Sequence, residues 1–201
     1  MGRIAVDVVL LPDEAMTTRA IEINRQLVTN APPEIVLSRE DRRPHISLAM
    51  GCIEESDVEA IRERLAHFAR ETNVRRLTIV GVLSSTNSRG ETSSLLEVEK
   101  TEALQALHEQ VMKEMALWFR YDVDEAMIED DVVTGTTLDW IRMYPQKASY
   151  ENFSPHITVG YGQVPPHLSF PIPFTVTRLA VCHLGNHCTC RRVLAAAELQ
   201  T

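Results

Sequence analysis

Positive charge is in short supply. The chain has 201 residues and carries 20 Lys and Arg against 28 Asp and Glu, a formal net charge of −8. That balance excludes a protein that grips long nucleic acid over its whole surface, but leaves room for a local basic pocket around one phosphate. Long hydrophobic runs are missing too. The N-terminal run from Ile4 to Leu11 is interrupted by Asp7 and is too short for a signal peptide or a membrane span. Four cysteines without a secretion signal read as belonging to a reducing compartment. The expectation is a cytoplasmic monomer with no membrane partner. Hydrophobic residues at 44 % and charged residues at 24 % are ordinary globular values, enough for one large domain or two small lobes.

What is present is a stretch written twice. Residues 44–51 read Pro-His-Ile-Ser-Leu-Ala-Met-Gly, and residues 155–162 read Pro-His-Ile-Thr-Val-Gly-Tyr-Gly. Without a gap, His45 falls on His156, Ser47 on Thr158 and Gly51 on Gly162. Both copies are rich in aliphatic and β-branched residues between Pro and Gly, the mark of a short strand. Side chains at i and i+2 share a strand face. His45 and Ser47 therefore oppose Ile46 and Leu48, and His156 and Thr158 oppose Ile157 and Val159. Each strand turns its aliphatic pair to a core and presents an imidazole and a hydroxyl to the other side.

Around the two copies, Ile4 to Leu11 reads as a buried strand. Met16, Ala20, Ile23 and Leu27 mark a helix that stops before Pro32 and Pro33. Ser56-Asp57-Val58-Glu59 has a capping-box pattern opening a helix with Val58, Ile61, Leu65 and Phe68 on one stripe. Leu77 to Leu83 and Ser94 to Val98 read as a hairpin around Asn87-Ser88-Arg89-Gly90. A third helix carries Leu104, Leu107, Val111, Met115 and Trp118. The six acids of residues 122–131 read as a solvated connection. Leu138 to Tyr144 reads as a strand, and Phe174 to Leu184 with Arg192 to Leu199 as a closing hairpin. The recurrence of the motif across this mixed pattern implies an α+β fold. It has two pseudo-symmetric lobes, each a small mostly antiparallel sheet with helices outside, around a central cleft.

A lone histidine in an apolar strand is usually a packing residue. Packing would keep the aliphatics of both copies but not the imidazole, so the repeat argues for function. Pro166-His167-Leu168-Ser169 fits the same short pattern, but prolines crowd it and the closing glycine is absent. His67 and His108 read as solvent-facing helix residues. His183, His187, Cys188 and Cys190 lie within eight residues, but their spacing is compressed and has no Cys-x-x-Cys pair. As a hairpin turn the segment needs no metal, and no metal or other cofactor is expected. Cys52 reads as a small buried hydrophobe.

Two imidazoles across a cleft, each with a hydroxyl beside it, suit cleavage of a phosphodiester without metal. One neutral ring can take a proton from water while the other, protonated, delivers one to the departing oxygen. The hydroxyls can donate to the non-bridging oxygens.

The paired motif, in a chain of this length, resembles the two-histidine phosphoesterase superfamily of 2'-5' RNA ligase-like proteins and cyclic phosphodiesterases. The resemblance spans most of residues 1–201 as a single bilobal domain. It implies metal-independent hydrolysis of a nucleoside 2',3'-cyclic phosphate or a 2'-5' phosphodiester, with His45 and His156 as the acid/base pair and Ser47 and Thr158 holding phosphate. Relatives often place an arginine or lysine after the second motif; here Gly160-Tyr161-Gly162 stands instead. Further substrate-binding candidates are Tyr161, Tyr144 and Phe153 as aromatic platforms, and Arg43 and Arg142 as phosphate partners. The partner expected is a small nucleotide or an RNA end. Ligation of RNA ends, or nucleotide binding without turnover, are the alternatives.

Overall fold

A computed structural model of the chain describes residues 2–28, 35–86, 90, 92–164 and 167–200. The stop signal at Pro32-Pro33, the turn residues Asn87, Ser88 and Arg89, and Pro165-Pro166 fall outside the described residues.

The first strand, β1 (Arg3–Pro12), has every residue from Ala5 to Leu11 buried. Such a run of apolar side chains is stable only where both faces of the sheet are covered. Helix α1 (Glu14–Val28) follows, then the first motif strand β2 (Ile46–Glu54). Next come α2 (Val58–Glu71), β3 (Arg76–Thr86), β4 (Thr92–Val98) and α3 (Glu102–Met115). Helix α4 (Gly135–Lys147) leads to the second motif strand β5 (His156–Tyr161), and β6 (Ile172–Leu184) and β7 (Cys190–Glu198) close the chain.

All strand pairs are antiparallel, in the order β2-β1-β6-β3-β4-β5 with β7 also on β6. The long β6 changes partners midway. Its first residues, Ile172 to Thr175, pair with β3; from Val176 onward it pairs with β1, and from Arg178 with β7 as well. One lobe is therefore β2-β1-β6-β7 and the other β5-β4-β3-β6, with a motif strand at the edge of each. Helix α1 packs on β5 and helix α3 on β2, so each half backs the other half's motif strand.

Several expectations are corrected. Residues 138–144 are helical: Leu138, Ile141 and Tyr144 turn inward at three-residue spacing, a period that a seven-residue window with alternating bulky residues does not reveal. The capping box does not form; Asp57 caps α2 with no side-chain hydrogen bond. His108 is wholly buried rather than solvent-facing. The acidic stretch is more than a solvated connection, since Asp130 pairs with Arg42 and Arg191, and Glu129 with Arg192 and His183. Nor are all four cysteines thiols, because Cys182 and Cys190 form a disulfide across β6 and β7. Cys52 is buried as expected, and burial pushes its thiol up to about 12. No described helix is long and apolar enough to cross a membrane.

Candidate active site

The alternation anticipated for both motifs is realised in the same form twice. Pro44, Ile46 and Leu48 are buried while His45 and Ser47 are partly open, and Pro155, Ile157 and Val159 are buried while His156 and Thr158 are partly open. Each strand also has an irregularity at the same place. The register of β2 against β1 skips Leu48, and that of β5 against β4 skips Val159. A bulge of this kind leaves backbone groups outside the ladder and re-aims neighbouring side chains. Both exposed carbonyls are claimed by a buried side chain from the helix of the opposite half. His108 on α3 donates from Nδ1 to Leu48 O at 2.6 Å, and Asn24 on α1 donates from Nδ2 to Val159 O at 2.8 Å. Asn24 also donates to Ile35 O and accepts from Leu37 N. Gly160, at φ +126°, brings its Cα so close to Asn24 that a Cβ would stand 2.9 Å from Nδ2, so glycine is required there.

The imidazoles are held alike. His45 Nδ1–H donates to Arg43 O at 2.8 Å and His156 Nδ1–H to Ser154 O at 2.7 Å. A carbonyl can only accept, so both rings carry hydrogen on Nδ1 and keep Nε2 for the cavity they line. That cavity, about 300 Å³, is also lined by Ser47 and Thr158. Burial lowers the pKa of both histidines, that of His45 to about 4, with the nearby His156 adding to the effect. Burial thus favours the neutral form of both rings. One can accept a proton, and an arriving anion would favour protonation of the other.

Of the further candidates, Tyr161, Tyr144 and Phe153 line the cavity. Tyr161 hydroxyl lies 3.2 Å from His187 Nδ1, and Phe153 stacks on His108 with ring centroids 4.0 Å apart. Arg142 does not line it: on the outer face of α4, its guanidinium meets Asp139 and donates to Val123 O. Its placement in the cleft assumed a strand, and the helical turn sends it away. Arg43 also lies outside the cavity wall, contributing only its carbonyl to His45, while Arg42 is engaged by Asp41 and Asp130.

The structure adds residues that the sequence reading missed. Trp140 and Lys147 reach the cavity from α4, Thr136 and Thr137 from its first turn, and His187 and Cys188 from the 186–188 turn. His187 and Cys188 stand out in the sequence only as part of a compressed His/Cys cluster and the others carry no local signal, because their convergence depends on where α4 and the closing hairpin land. Asp7 is different. Wholly buried in β1, it is hydrogen-bonded to Ser47 Oγ at 2.5 Å, and its Oδ2 lies 3.7 Å from His45 Nε2. A lone acid inside an apolar strand was the signal, since a buried carboxyl demands a partner. Elsewhere, Cys190 is tied up in the disulfide and His183 bonds Met127 O. No group of three or more metal-ligating side chains occurs among the described residues. His167 lies in a separate surface depression beside Arg19 and Glu22.

The profile of the 2'-5' RNA ligase superfamily matches residues 20–187. Among solved structures, E. coli LigT complexed with NADP+ is 16% identical, with 100% of both chains covered and a TM-score of 0.57. The crystal structure of a phosphoesterase is 14% identical, with 98% of both chains covered and a TM-score of 0.55. E. coli LigT complexed with phosphate is 14% identical, with 100% of both covered and a TM-score of 0.52. At these identities the likeness concerns the fold. No curated protein matches the sequence significantly.

Proposed function

The chain belongs to the 2'-5' RNA ligase superfamily, and from that premise we propose that it hydrolyses a nucleoside 2',3'-cyclic phosphate or a 2'-5' phosphodiester, with residues 1–201 acting as one bilobal catalytic unit. The observation that carries this reading is the pair of Nδ1-anchored imidazoles lining one cavity, each with a hydroxyl two residues on.

In the proposed reaction, one neutral ring takes a proton from water through Nε2 as the water oxygen bonds to phosphorus. The other ring, protonated, gives its Nε2 proton to the sugar oxygen as the P–O bond breaks, leaving a phosphomonoester and a free hydroxyl. Ser47 and Thr158 donate to the non-bridging oxygens, where charge accumulates. Lys147 supplies positive potential from α4. Trp140 and Tyr161 offer faces for a base. The scheme draws on side chains alone. A cavity of about 300 Å³ favours one nucleotide, free or at an RNA end, over an extended strand.

The test is turnover of 2',3'-cyclic AMP in the presence of EDTA. Wild type is expected to turn over, and His45→Ala and His156→Ala each to lose about 10²–10⁴-fold, the usual contribution of a general acid or base. Full activity in both variants would remove the histidines from the reaction.

A further inference from the structure

The two motifs match so closely that the place where they differ carries information. Asp7 stands opposite Met50 in the β1–β2 ladder, and Ser93 stands opposite Tyr161 in the β4–β5 ladder. Met50 and Tyr161 are each three residues past their motif's hydroxyl, so the pseudo-symmetry of the lobes sets Ser93 where the first lobe has Asp7. An acid therefore underlies Ser47, and a serine occupies the matching position near Thr158.

We propose that Asp7 is a positioning residue of the phosphate site: hydrogen-bonded to Ser47 Oγ from beneath, it turns the serine's own proton into the cavity. The proposal rests on the phosphodiesterase reading above.

Asp7 Oδ1 is buried with no partner among the described residues, and Oδ2 meets only the Ser47 hydroxyl at hydrogen-bond distance. A buried carboxylate with one hydrogen bond and no cation in contact is a costly species, whereas a carboxylic acid in the same place is not. Its described surroundings offer no compensating charge. His45 Nε2 is at 3.7 Å, the neutral Tyr144 and Cys188 come from α4 and the 186–188 turn, and the cross-strand partner on β6 is the disulfide-bonded Cys182. Burial accordingly holds the Asp7 carboxyl well above the usual range. A carboxylic acid has one proton to give, and Ser47 Oγ is the acceptor within reach. A serine hydroxyl has one hydrogen and two lone pairs. With a lone pair occupied from below, its hydrogen is free to point at a phosphate oxygen. Were Asp7 ionised, Ser47 would spend that hydrogen on the carboxylate and face the phosphate with lone pairs only.

The test is a double-mutant cycle between Asp7→Leu and Ser47→Ala, with Asp7→Asn as the conservative variant, and thermal melts on every protein. Asp7→Leu is expected to lower kcat/KM for 2',3'-cyclic AMP about tenfold, and to lower it no further in the Ser47→Ala background. Asp7→Asn, which keeps an N–H to donate to Ser47 Oγ, should return activity to within about threefold of wild type. Calorimetry with inorganic phosphate on the same proteins runs the same cycle on binding alone, so a wild type without turnover overturns the phosphodiesterase reading and still decides the role of Asp7. Losses from Asp7→Leu that are equal in the wild-type and Ser47→Ala backgrounds would overturn the proposal. So would a folded Asp7→Asn variant as impaired as Asp7→Leu.

Discussion

His45 and His156 each hand Nδ1–H to the carbonyl two residues upstream, which fixes the ring and leaves one nitrogen for chemistry. The consequence is a defined pH dependence. Burial depresses both pKa values, that of His45 to about 4, so the protonated member of the pair is lost from the free protein below the ordinary value of about 6.5. The kcat/KM profile, which reports the free protein, should be bell-shaped with an optimum below about pH 6.5, and the kcat profile displaced to higher pH by the bound anion. Proton NMR titration of the ring resonances checks this directly. A His45 that titrates near 6.5 and does not respond to phosphate would contradict it. The same depression bears on stability. A histidine whose folded pKa is lowered keeps its full contribution above the unfolded value of about 6.5 and loses it as pH falls towards the folded value. With His45, His108 and His156 all lowered, the histidines weaken the fold as pH drops from about 6.5 to about 4, the raised carboxyl of Asp7 acts in the opposite sense, and the His45→Leu variant should lose less melting temperature than wild type over that window. The placement of His45, Ser47, His156 and Thr158 on one cavity was legible where the motif repeats. Lys147 and Trp140 were not, since only the fold brings them to the cavity.

The elements that matter most are the two bulged strand edges and the helices that fasten them. His108 spans both motifs: it donates to Leu48 O beside Ser47, accepts Tyr150 N–H at 2.8 Å, and stacks on Phe153, three residues before His156. Asn24 performs the matching service at Val159. His108→Leu would strand a buried carbonyl and a partly buried N–H and should cost about 2–4 kcal/mol of stability. Asn24→Leu would strand three backbone groups and should cost at least as much by chemical denaturation. A loss under about 0.5 kcal/mol in both would show that the bulges need no clamp. These contacts explain why His108 was misjudged from sequence. Its helix is amphipathic with a wide buried face, and a histidine on the border of such a face reads as solvated until the strand above it is known to expose a carbonyl. Helix α4 escaped for a related reason. Leu138, Trp140, Arg142 and Tyr144 have the spacing of a strand face, but Trp140 and Arg142 are exposed while Ile141 is buried.

At the scale of the whole molecule, the doubled motif made the two-lobed plan readable in advance. The sharing of β6 between the lobes, and the crossing of α1 and α3 onto the opposite motif strands, were not readable, because strand partnership over long sequence separations leaves no local trace. This interlocking makes the cavity a joint product of both halves. A net charge of −8 surrounds it, so phosphate beyond the first should add little. Binding of a 20-nucleotide single strand ending in a 2',3'-cyclic phosphate should show a log–log salt slope of about −0.7, the value for one neutralised phosphate. A slope several times steeper, measured by fluorescence anisotropy, would reveal an extended RNA track. The account as a whole turns on convergence of two lobes upon one phosphorus, and a crystal structure of the protein soaked with inorganic phosphate addresses it without intermediaries. One phosphate is expected within hydrogen-bond distance of His45 Nε2, His156 Nε2, Ser47 Oγ and Thr158 Oγ1 together. A phosphate held by one motif while the other points elsewhere, or bound outside this cavity altogether, would contradict it.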